Sequence, residues 1–516
     1  MLQLKTTNVP SGATARPLIA AVDLGSNSFR LLIAEVEANS AGHHLRLLDQ
    51  IKESVRLGAG LDQRRELGES AQQRAIEALA RLAERIRHFD PANVRAVATN
   101  TFRVARNAQA FLERASAALG FPIEVIAGRE EARLIYVGAS HALPVDGRRR
   151  LVVDIGGGST ECIIGVDHEP LRRESLDIGC VSVTREFFAS GAITRGALRR
   201  ARIHCAERLA GEVRAFRRLG WHYSVGTSGS AKALIQIATM NFGVAELTTP
   251  TLRRIENLLL EAGSLDALQI NGLKPDRQAV IAGSLCVMQA VFEEFGIESM
   301  SFCESALREG VLHDLLGRAS GADRREITIS HLVERYRLDP RHGEEVAIVA
   351  ADCLRQLVGG EPDDDRVRML QWAARIRELG AFIAHADAHK HGAYIVQNAD
   401  LPGFSRDEQS LLAVLVLGQT GGLRKLRPFE LDAGHWQMVL ALRLAVILQR
   451  RRDGRKTPLS LRQKGTGPAS GWIATLPAEW VAQHPLTDQS LAREAAEWRE
   501  AGPWHEADYQ VSDAPA

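Results

Sequence analysis

Residues 20–36 read AAVDLGSNSFRLLIAEV, and residues 151–167 read LVVDIGGGSTECIIGVD. Each stretch is an apolar run that ends in aspartate, followed by a turn of small residues and a second apolar run. Such runs, bounded by Gly, Ser and Asn, predict two β-hairpins. When Asp23 is aligned with Asp154, the two copies superimpose without a gap. The repeat therefore predicts two related lobes, each beginning with a hairpin whose turn faces a shared cleft.

Alternating strand and helix patterns surround these hairpins and predict an α/β fold for the first part of the chain. Short apolar runs such as 94–99 and 123–128 alternate with amphipathic stretches such as 70–89. Beyond Asp323 the strand patterns stop, and apolar residues at three- and four-residue spacing predict an all-helical domain. Strand-like pieces and one helix at the end predict a small α+β module. The predicted divisions are a disordered lead-in at 1–16, lobe I at 17–133, lobe II at 134–318, the helical domain at 324–449 and the C-terminal module at 450–516.

The composition narrows the class of protein. The 516 residues exceed what one hydrophobic core organises, and Lys+Arg 64 against Asp+Glu 63 gives a net charge of +1. The net charge therefore gives no overall electrostatic attraction for a polyanion, and a nucleic-acid partner is not expected. Six scattered cysteines without a C-x-x-C pair are typical of a reducing cytoplasm. A polar N-terminus and the lack of an apolar run of about 18 residues predict neither a signal peptide nor a transmembrane segment.

The small-residue turns suit a phosphate ligand. Gly, Ser and Asn allow the backbone to approach an anion closely and direct several N–H groups at it. An acid at the end of the preceding strand would repel phosphate, so its sensible task is to hold a hydrated Mg²⁺ ion that bridges to the phosphate. Asp23 and Asp154 supply one such acid from each lobe. Two ordinary hairpins with incidental aspartates are the alternative, but a third glycine-rich turn at 226–230 weighs against it.

Nearly all of residues 1–317 resemble the exopolyphosphatase and guanosine pentaphosphate phosphohydrolase family, within the superfamily of actin, sugar kinases and chaperone ATPases. The segments that carry this resemblance are DLGSNSFRLLIAEV (23–36), TNTFRVARNA (99–108), EVIAGREEARLIYVGA (124–139), VVDIGGGSTECIIG (152–165), DIGCVSVTREFF (177–188), VGTSGSAKAL (225–234) and ALREGVL (306–312). The later HKHGAYIVQNADLPGFS (389–405) resembles the helical domain of long-chain members. The resemblance implies two actin-like, ribonuclease-H-like lobes around a cleft, then an HD-like helical domain.

The resemblance also implies roles for individual residues. It places the catalytic base at Glu131 and an essential acidic pair at Asp154 and Glu161. Hydrolysis of a phosphoanhydride needs a carboxylate that orients a water and accepts its proton, which makes the assignment chemically reasonable. Glu161 occupies in the second hairpin the position of Arg30 in the first. Asp23, Asp154 and Glu161 are predicted to hold Mg²⁺. The residues predicted to bind phosphate are Asn27, Ser28, Thr99, Arg103, Gly157, Gly158, Ser159, Thr160, Gly226, Ser228 and Gly229.

A histidine-rich segment at 385–391 looks like a metal site in the helical domain. HD phosphohydrolases need a His-Asp pair in a pattern such as A-A-x-x-H-D-x-G. Residues 373–380 read AARIRELG, so Arg377 stands in place of the ligand histidine and Glu378 in place of the aspartate. His342, in the position of the first ligand, does not complete a site alone. We therefore expect this domain to be catalytically silent, and to extend a phosphate-binding channel and form a dimer interface.

These observations predict a magnesium-dependent exopolyphosphatase that releases terminal orthophosphate from inorganic polyphosphate. The expected protein is a cytoplasmic homodimer, with peripheral association at the inner face of the membrane as an open option. A guanosine pentaphosphate phosphohydrolase using the same residues is the first alternative; the long helical region favours polyphosphate. A kinase of the same superfamily is a second, although it would need an adenosine pocket. A non-catalytic, actin-like nucleotide-sensing protein is the third, and phosphate release separates it from the enzymes.

Overall fold

The computed structural model describes residues 17–39, 42–320, 322–452, 457–465 and 471–513. The predicted lead-in at 1–16 lies outside these described residues. The chain divides between residues 324 and 325 into two compact units. Within the described ranges, no helix is long and apolar enough to cross a membrane.

Lobe I contains a five-stranded sheet in the order β3-β2-β1-β4-β5. Its strands are β1 Leu18–Leu24, β2 Ser28–Asn39, β3 Gly42–Ser54, β4 Val94–Ala98 and β5 Ile123–Val125. Its helices are α1 Glu69–Ile86, α2 Asn100–Val104, α3 Ala108–Leu119 and α4 Gly128–Ala142. The first three strands are antiparallel, and β4 and β5 continue the sheet parallel to β1. The predicted first hairpin is confirmed as β1–β2.

Lobe II repeats this arrangement around a six-stranded sheet in the order β10-β11-β9-β6-β7-β8. Its strands are β6 Arg149–Ile155, β7 Thr160–Val166, β8 Glu169–Leu176, β9 Tyr223–Thr227, β10 Leu247–Thr248 and β11 Ser299–Phe302. Its helices are α5 Cys180–Phe187, α6 Arg195–Leu219, α7 Ser228–Phe242, α8 Thr249–Ala262, α9 Pro275–Gln278, α10 Ile281–Phe295 and α11 Leu307–Ser320. Strands β6 and β7 are antiparallel, while β9 and β11 run parallel to β6 as β4 and β5 run parallel to β1. The duplication therefore extends beyond the hairpins.

Two helices correct the predicted lobe boundaries. A boundary after residue 133 falls inside α4, and one after residue 318 falls inside α11. The two helices pack against each other, and α11 also contacts β1, β2 and β4 of lobe I. One continuous core joins Leu134 of α4 and Val311 of α11 to Val97 of β4 and Val152 of β6. Both helices bury apolar faces against the sheets. Neither is an exposed linker, so no loop-like stretch of sequence marks the boundary between the lobes.

A buried network of charged residues ties α4 and α11 to lobe I. Arg95 of β4 donates to Asp314 of α11 at 2.6 Å and to Glu124 of β5 at 3.0 Å. Arg133 of α4 donates to the same Asp314 and to Glu130 one turn away. Burial alone would raise the pKa of Asp314, but the attraction of Arg133 and Arg95 holds this pKa far below its usual range. Glu130 therefore has a structural role in this network.

The second unit is helical at first, as predicted, and ends in a small three-stranded sheet. Its helices are α12 Arg324–Arg335, α13 Pro340–Val358, α14 Asp364–Ile376, α15 Ala388–Asn398, α16 Arg406–Gly418, α17 Ala433–Leu448, α18 Ala478–Ala482 and α19 Pro485–Ala501. Its strands are β12 Ser460–Lys464, β13 Gly471–Pro477 and β14 Glu506–Ser512, in the order β12-β13-β14. The strand β14 was not predicted from the sequence.

The C-terminal module is not a domain with its own core, contrary to the predicted division at residue 450. Trp472 and Trp498 belong to the same buried cluster as Leu440 of α17. The buried Arg443 of α17 donates to Glu494 of α19 at 2.8 Å. A three-stranded sheet of this size buries too little apolar surface to be stable alone, so it uses the helical core.

In the helical region, arginine side chains surround Glu378, at the position where HD phosphohydrolases have their His-Asp pair. The Arg377 guanidinium donates to Glu378 at 2.6 Å, and Arg452 donates to the same carboxylate at 2.8 Å. Burial lowers the pKa of His342, and the charges of Arg377 and Arg452 lower it further. Among the residues that the structure describes, no group of three His, Cys, Asp or Glu side chains is placed to hold a metal ion.

Candidate active site between the two lobes

The two hairpins place acidic residues at matching points of the two lobes. Strand pairing sets Asp23 opposite Arg30 in β1–β2 and Asp154 opposite Glu161 in β6–β7. Residues directly opposite in an antiparallel pair have Cβ atoms about 5 Å apart on one face of the sheet. The predicted correspondence of Arg30 with Glu161 is therefore correct. Thr227, at the end of β9, donates to Oδ2 of Asp154 at 2.6 Å and fixes that carboxylate.

Glu131 lies in the first turn of α4, where the helix meets the cleft. Its backbone N–H bonds to Ala127 O at 2.9 Å, and its side chain is only 9% exposed. The Arg103 guanidinium donates to Oε2 of Glu131 at 2.6 Å and to the backbone oxygen of Ile126 at 3.1 Å. This arginine therefore fixes the carboxylate of Glu131, and it does not line the cleft as the predicted phosphate clamp.

Burial raises the pKa of three carboxylates at or beside the cleft. Burial raises the pKa of Asp23 to about 7, against the attraction of Arg30 and Arg308. Burial also raises the pKa of Asp154 to about 6, although the bond from Thr227 opposes it. The pKa of Glu161 is raised as well, first by burial and then by the nearby Glu131 and Asp154 charges. The predicted metal set of Asp23, Asp154 and Glu161 does not form a three-ligand group among the described residues, so a cation here would rely on one or two of these carboxylates and on substrate oxygens.

Most of the predicted phosphate-binding residues line one cavity of about 330 Å³. It contains Asp23, Glu131 and Asp154 together with Asn27, Ser28, Thr99, Gly157, Gly158, Ser159, Ser228 and Gly229. Ser228 adopts a left-handed conformation with φ of 68° and donates to Ile155 O at 3.0 Å. A strained non-glycine residue at a ligand site is typical of a position held for function. The hairpin turns of both lobes thus converge as the repeat predicts.

Three further predicted site residues are placed behind this cavity. The Thr160 hydroxyl donates to Ile178 O at 2.6 Å and is fully buried. Gly226 packs in the sheet, where a Cβ would lie 2.8 Å from Ala231 and 2.9 Å from Met300. Glu161 is 1% exposed and accepts a bond from Ser175 at 2.7 Å. Thr160 and Gly226 therefore support the turns, and Glu161, predicted as a metal ligand, is buried beside Asp154 and does not line the cavity.

The sequence patterns missed a set of cationic residues around the cleft. Arg308, in α11, is 4% exposed, and one of its guanidinium nitrogens has no hydrogen-bond partner among the described residues. The other cleft-lining cations are Arg30, Lys52, Lys232, Lys274 and Arg277. Only 8 of the 64 basic residues are lysine, and three of these eight line this cavity. These three lysines, at positions 52, 232 and 274, are far apart in the chain, so no local sequence pattern predicts that they meet.

Two family models match the chain over both units. The Ppx/GppA phosphatase family matches residues 33–319, and domain III of Ppx/GppA phosphatase matches residues 324–495. The chain belongs to the Ppx/GppA phosphatase family. It is therefore a hydrolase of phosphoanhydride bonds, as predicted. The kinase and the non-catalytic alternatives are set aside.

Named relatives of this phosphatase include two proteins called guanosine-5'-triphosphate,3'-diphosphate pyrophosphatase. The one from Aeromonas hydrophila is 35% identical over 94% of this chain and 98% of its own length. The one from Vibrio vulnificus is 36% identical over 94% of this chain and 97% of its own length. These relatives match the guanosine alternative better than the predicted polyphosphate function.

Solved structures resemble the first unit of this Ppx/GppA phosphatase. A crystal structure of an exopolyphosphatase from Cytophaga hutchinsonii superimposes with a TM-score of 0.52 at 25% identity, covering 59% of this chain and 99% of that one. A structure of an exopolyphosphatase-like protein gives a TM-score of 0.52 at 26% identity, covering 58% and 97%. The predicted fold class, two actin-like lobes with a helical region after them, is confirmed.

Proposed function

We propose that this phosphatase removes the terminal phosphate of guanosine 5'-triphosphate 3'-diphosphate, giving the tetraphosphate and orthophosphate. The observation that carries the proposal is the match to two relatives of that name over 94% of the chain, at 35% and 36% identity. Those relatives are matched over 97% or more of their length, so proteins of that name contain the helical region as well. The long C-terminal region therefore no longer favours polyphosphate.

The cleft supplies the groups that hydrolysis of a terminal phosphate requires. A water attacks the terminal phosphorus, and the bond from this phosphorus to the bridging oxygen breaks. The bridging oxygen keeps the electron pair and stays with the tetraphosphate, while the water's proton passes to Glu131. The bond from Arg103 at 2.6 Å holds this carboxylate in one orientation, so little reorganisation is needed.

Donors around the phosphate stabilise the charge that develops in the transition state. Gly157 and Gly158 line the cavity with backbone N–H groups, and Ser28 presents a hydroxyl. Arg308 adds a guanidinium nitrogen that has no partner among the described residues. A buried, unpaired arginine donor is costly unless a ligand uses it, so an anionic phosphate oxygen is its natural acceptor.

The acidic residues fit a Mg²⁺ ion. Oδ1 of Asp23 is buried and has no hydrogen-bond partner among the described residues. Asp154 faces the same cavity from the other lobe, whereas Glu161 is buried, accepts a bond from Ser175 and does not line the cavity. Mg²⁺ keeps several waters and is commonly held by one or two carboxylates plus substrate phosphates, which suits this set without a complete protein cage. When bound, the ion would neutralise charge on the phosphate oxygens.

Inorganic polyphosphate is the second candidate substrate. The first unit resembles two structures titled exopolyphosphatase or exopolyphosphatase-like. Lys274 at the cleft would attract any phosphate chain through its charge, and Lys52 and Lys232 would add to this when they leave their exposed pairs with Asp276 and Glu304. The homodimer and the cytoplasmic location stay predictions.

We expect kcat/KM for guanosine 5'-triphosphate 3'-diphosphate to exceed that for long-chain polyphosphate by at least about tenfold, a lower bound because a site built to hydrogen-bond one substrate discriminates by more than this. Both substrates would be assayed on one preparation with the same Mg²⁺ concentration. GTP is the matched control, because it lacks only the 3'-diphosphate. A higher kcat/KM on polyphosphate would contradict the proposal and restore the second candidate.

A further inference from the structure

A second cavity of about 260 Å³ lies behind the catalytic cleft, again between the lobes. We call it the rear cavity. Its walls include Leu61 and Val104 of lobe I and Val181 of lobe II. The two cavities share four lining residues, Ser26, Asn100, Gly157 and Gly158. The catalytic cleft and the rear cavity are therefore separated by a floor that is one layer of residues thick.

The floor is thin because one side of it is glycine. A Cβ added to Gly157 would lie 3.0 Å from Cβ of Ser26, and one added to Gly158 would lie 2.2 Å from Oδ1 of Asn100. The lobe II turn thus contributes only backbone, and the small side chains of Ser26 and Asn100 complete the closure. Asn100 is 8% exposed, and no hydrogen bond within the described part of the chain holds its amide. A rotation of this one side chain would join the two cavities.

The charges of the rear cavity suit a small anion. Arg65, Arg185 and Arg208 line it, against two acids, Asp62 and Asp177. Arg185 donates to the backbone oxygen of Leu61 at 3.2 Å. Neither Arg65 nor Arg208 forms an ion pair with another residue in the described ranges, so both guanidinium groups remain available. Arginine forks bind phosphate oxygens well, and the cavity has one positive charge in excess.

We propose that the rear cavity is the exit site for orthophosphate. Hydrolysis leaves two anions in the cleft, and the terminal phosphate lies at the glycine turns that form the floor. The remaining nucleotide or phosphate chain lies between it and the front opening. Orthophosphate therefore leaves through the floor, past Asn100, onto Arg65 and Arg208. The proposal rests on hydrolysis of a terminal phosphate and holds for either candidate substrate.

The test separates bond cleavage from the appearance of free orthophosphate. In the double variant Arg65→Glu/Arg208→Glu, both reversed charges are exposed and neither lines the catalytic cleft, so the fold and cleavage should survive. Rapid-quench single turnover should give an unchanged cleavage rate. A fluorescent phosphate sensor in stopped flow should show orthophosphate release slowed by about tenfold, as expected for reversing two charges on its route. Leu61→Trp, which narrows the rear cavity without changing charge, should also slow release only.

Arg199→Glu is the matched control, since it reverses an exposed charge on the same helix α6 away from the rear cavity. Its cleavage and release rates should match those of the wild type. An unchanged delay between cleavage and release in both the double variant and Leu61→Trp would overturn the proposal. Equal slowing of cleavage and release would overturn it as well. Failure of the substrate proposal is distinguishable, because it would appear as no cleavage of the guanosine compound by the wild type.

Discussion

Replacing Glu131 by Gln should lower kcat by at least about 10²-fold, the usual scale for loss of a general base. The amide keeps the shape of the side chain and can still accept a bond from Arg103, but it does not take the proton of the attacking water. Substrate affinity should change little, because the phosphate donors belong to the turns of both lobes. Steady-state kinetics and binding of the unreacted guanosine compound to the variant measure the two effects separately.

Glu304→Gln is the matched control for this variant. Glu304 also lines the cleft, but its carboxylate pairs with Lys232 and is mostly exposed. An exposed pair contributes little, so kcat should stay within about twofold of the wild type. Near-normal turnover in Glu131→Gln would show that another group accepts the proton.

Replacing Asp154 by Asn should lower activity by at least about 10²-fold and raise the Mg²⁺ concentration needed for half-maximal rate, because one of the proposed metal carboxylates loses its charge. Thr227 can still donate to the remaining carbonyl oxygen, so the local structure should persist. A Mg²⁺ titration of initial rates, with circular dichroism to verify folding, provides the measurement.

Asp276→Asn makes the same chemical change at the rim of the cleft. Asp276 pairs with Lys52 at 2.7 Å, and both side chains are more than one-third exposed. Its Mg²⁺ titration curve should overlay that of the wild type. If the titration curve shifts equally in both variants, or shifts in neither, Asp154 is not a ligand of the proposed metal site.

The paired hairpins show how far the sequence alone predicts this site. The repeat puts Arg30 and Glu161 at corresponding positions of the two hairpins, and the strand registers, with Asp23 opposite Arg30 and Asp154 opposite Glu161, agree with this. The convergence of the two turns on one cavity also followed, because a duplicated lobe presents the same end of its sheet. The resemblance supplied Glu131, which the hairpin pattern did not indicate.

The remaining differences come from contacts between distant parts of the chain. Arg103 looked like a phosphate clamp because nothing in its own segment revealed that Glu131 would lie 2.6 Å away. Helix α11 was assigned to lobe II by its position in the sequence, although its apolar face packs on lobe I. Arg308 on this helix reaches the cleft for the same reason. Tertiary packing, which carries no local signature, decides each of these three outcomes.

The proposed mechanism requires that water attack the terminal phosphorus and not another phosphorus of the substrate. Hydrolysis of guanosine 5'-triphosphate 3'-diphosphate in heavy-oxygen water, followed by mass spectrometry of both products, identifies the phosphorus that is attacked. We expect free orthophosphate that carries one oxygen from the solvent and a guanosine tetraphosphate that carries none. Release of pyrophosphate, or solvent oxygen in the nucleotide product, would contradict it.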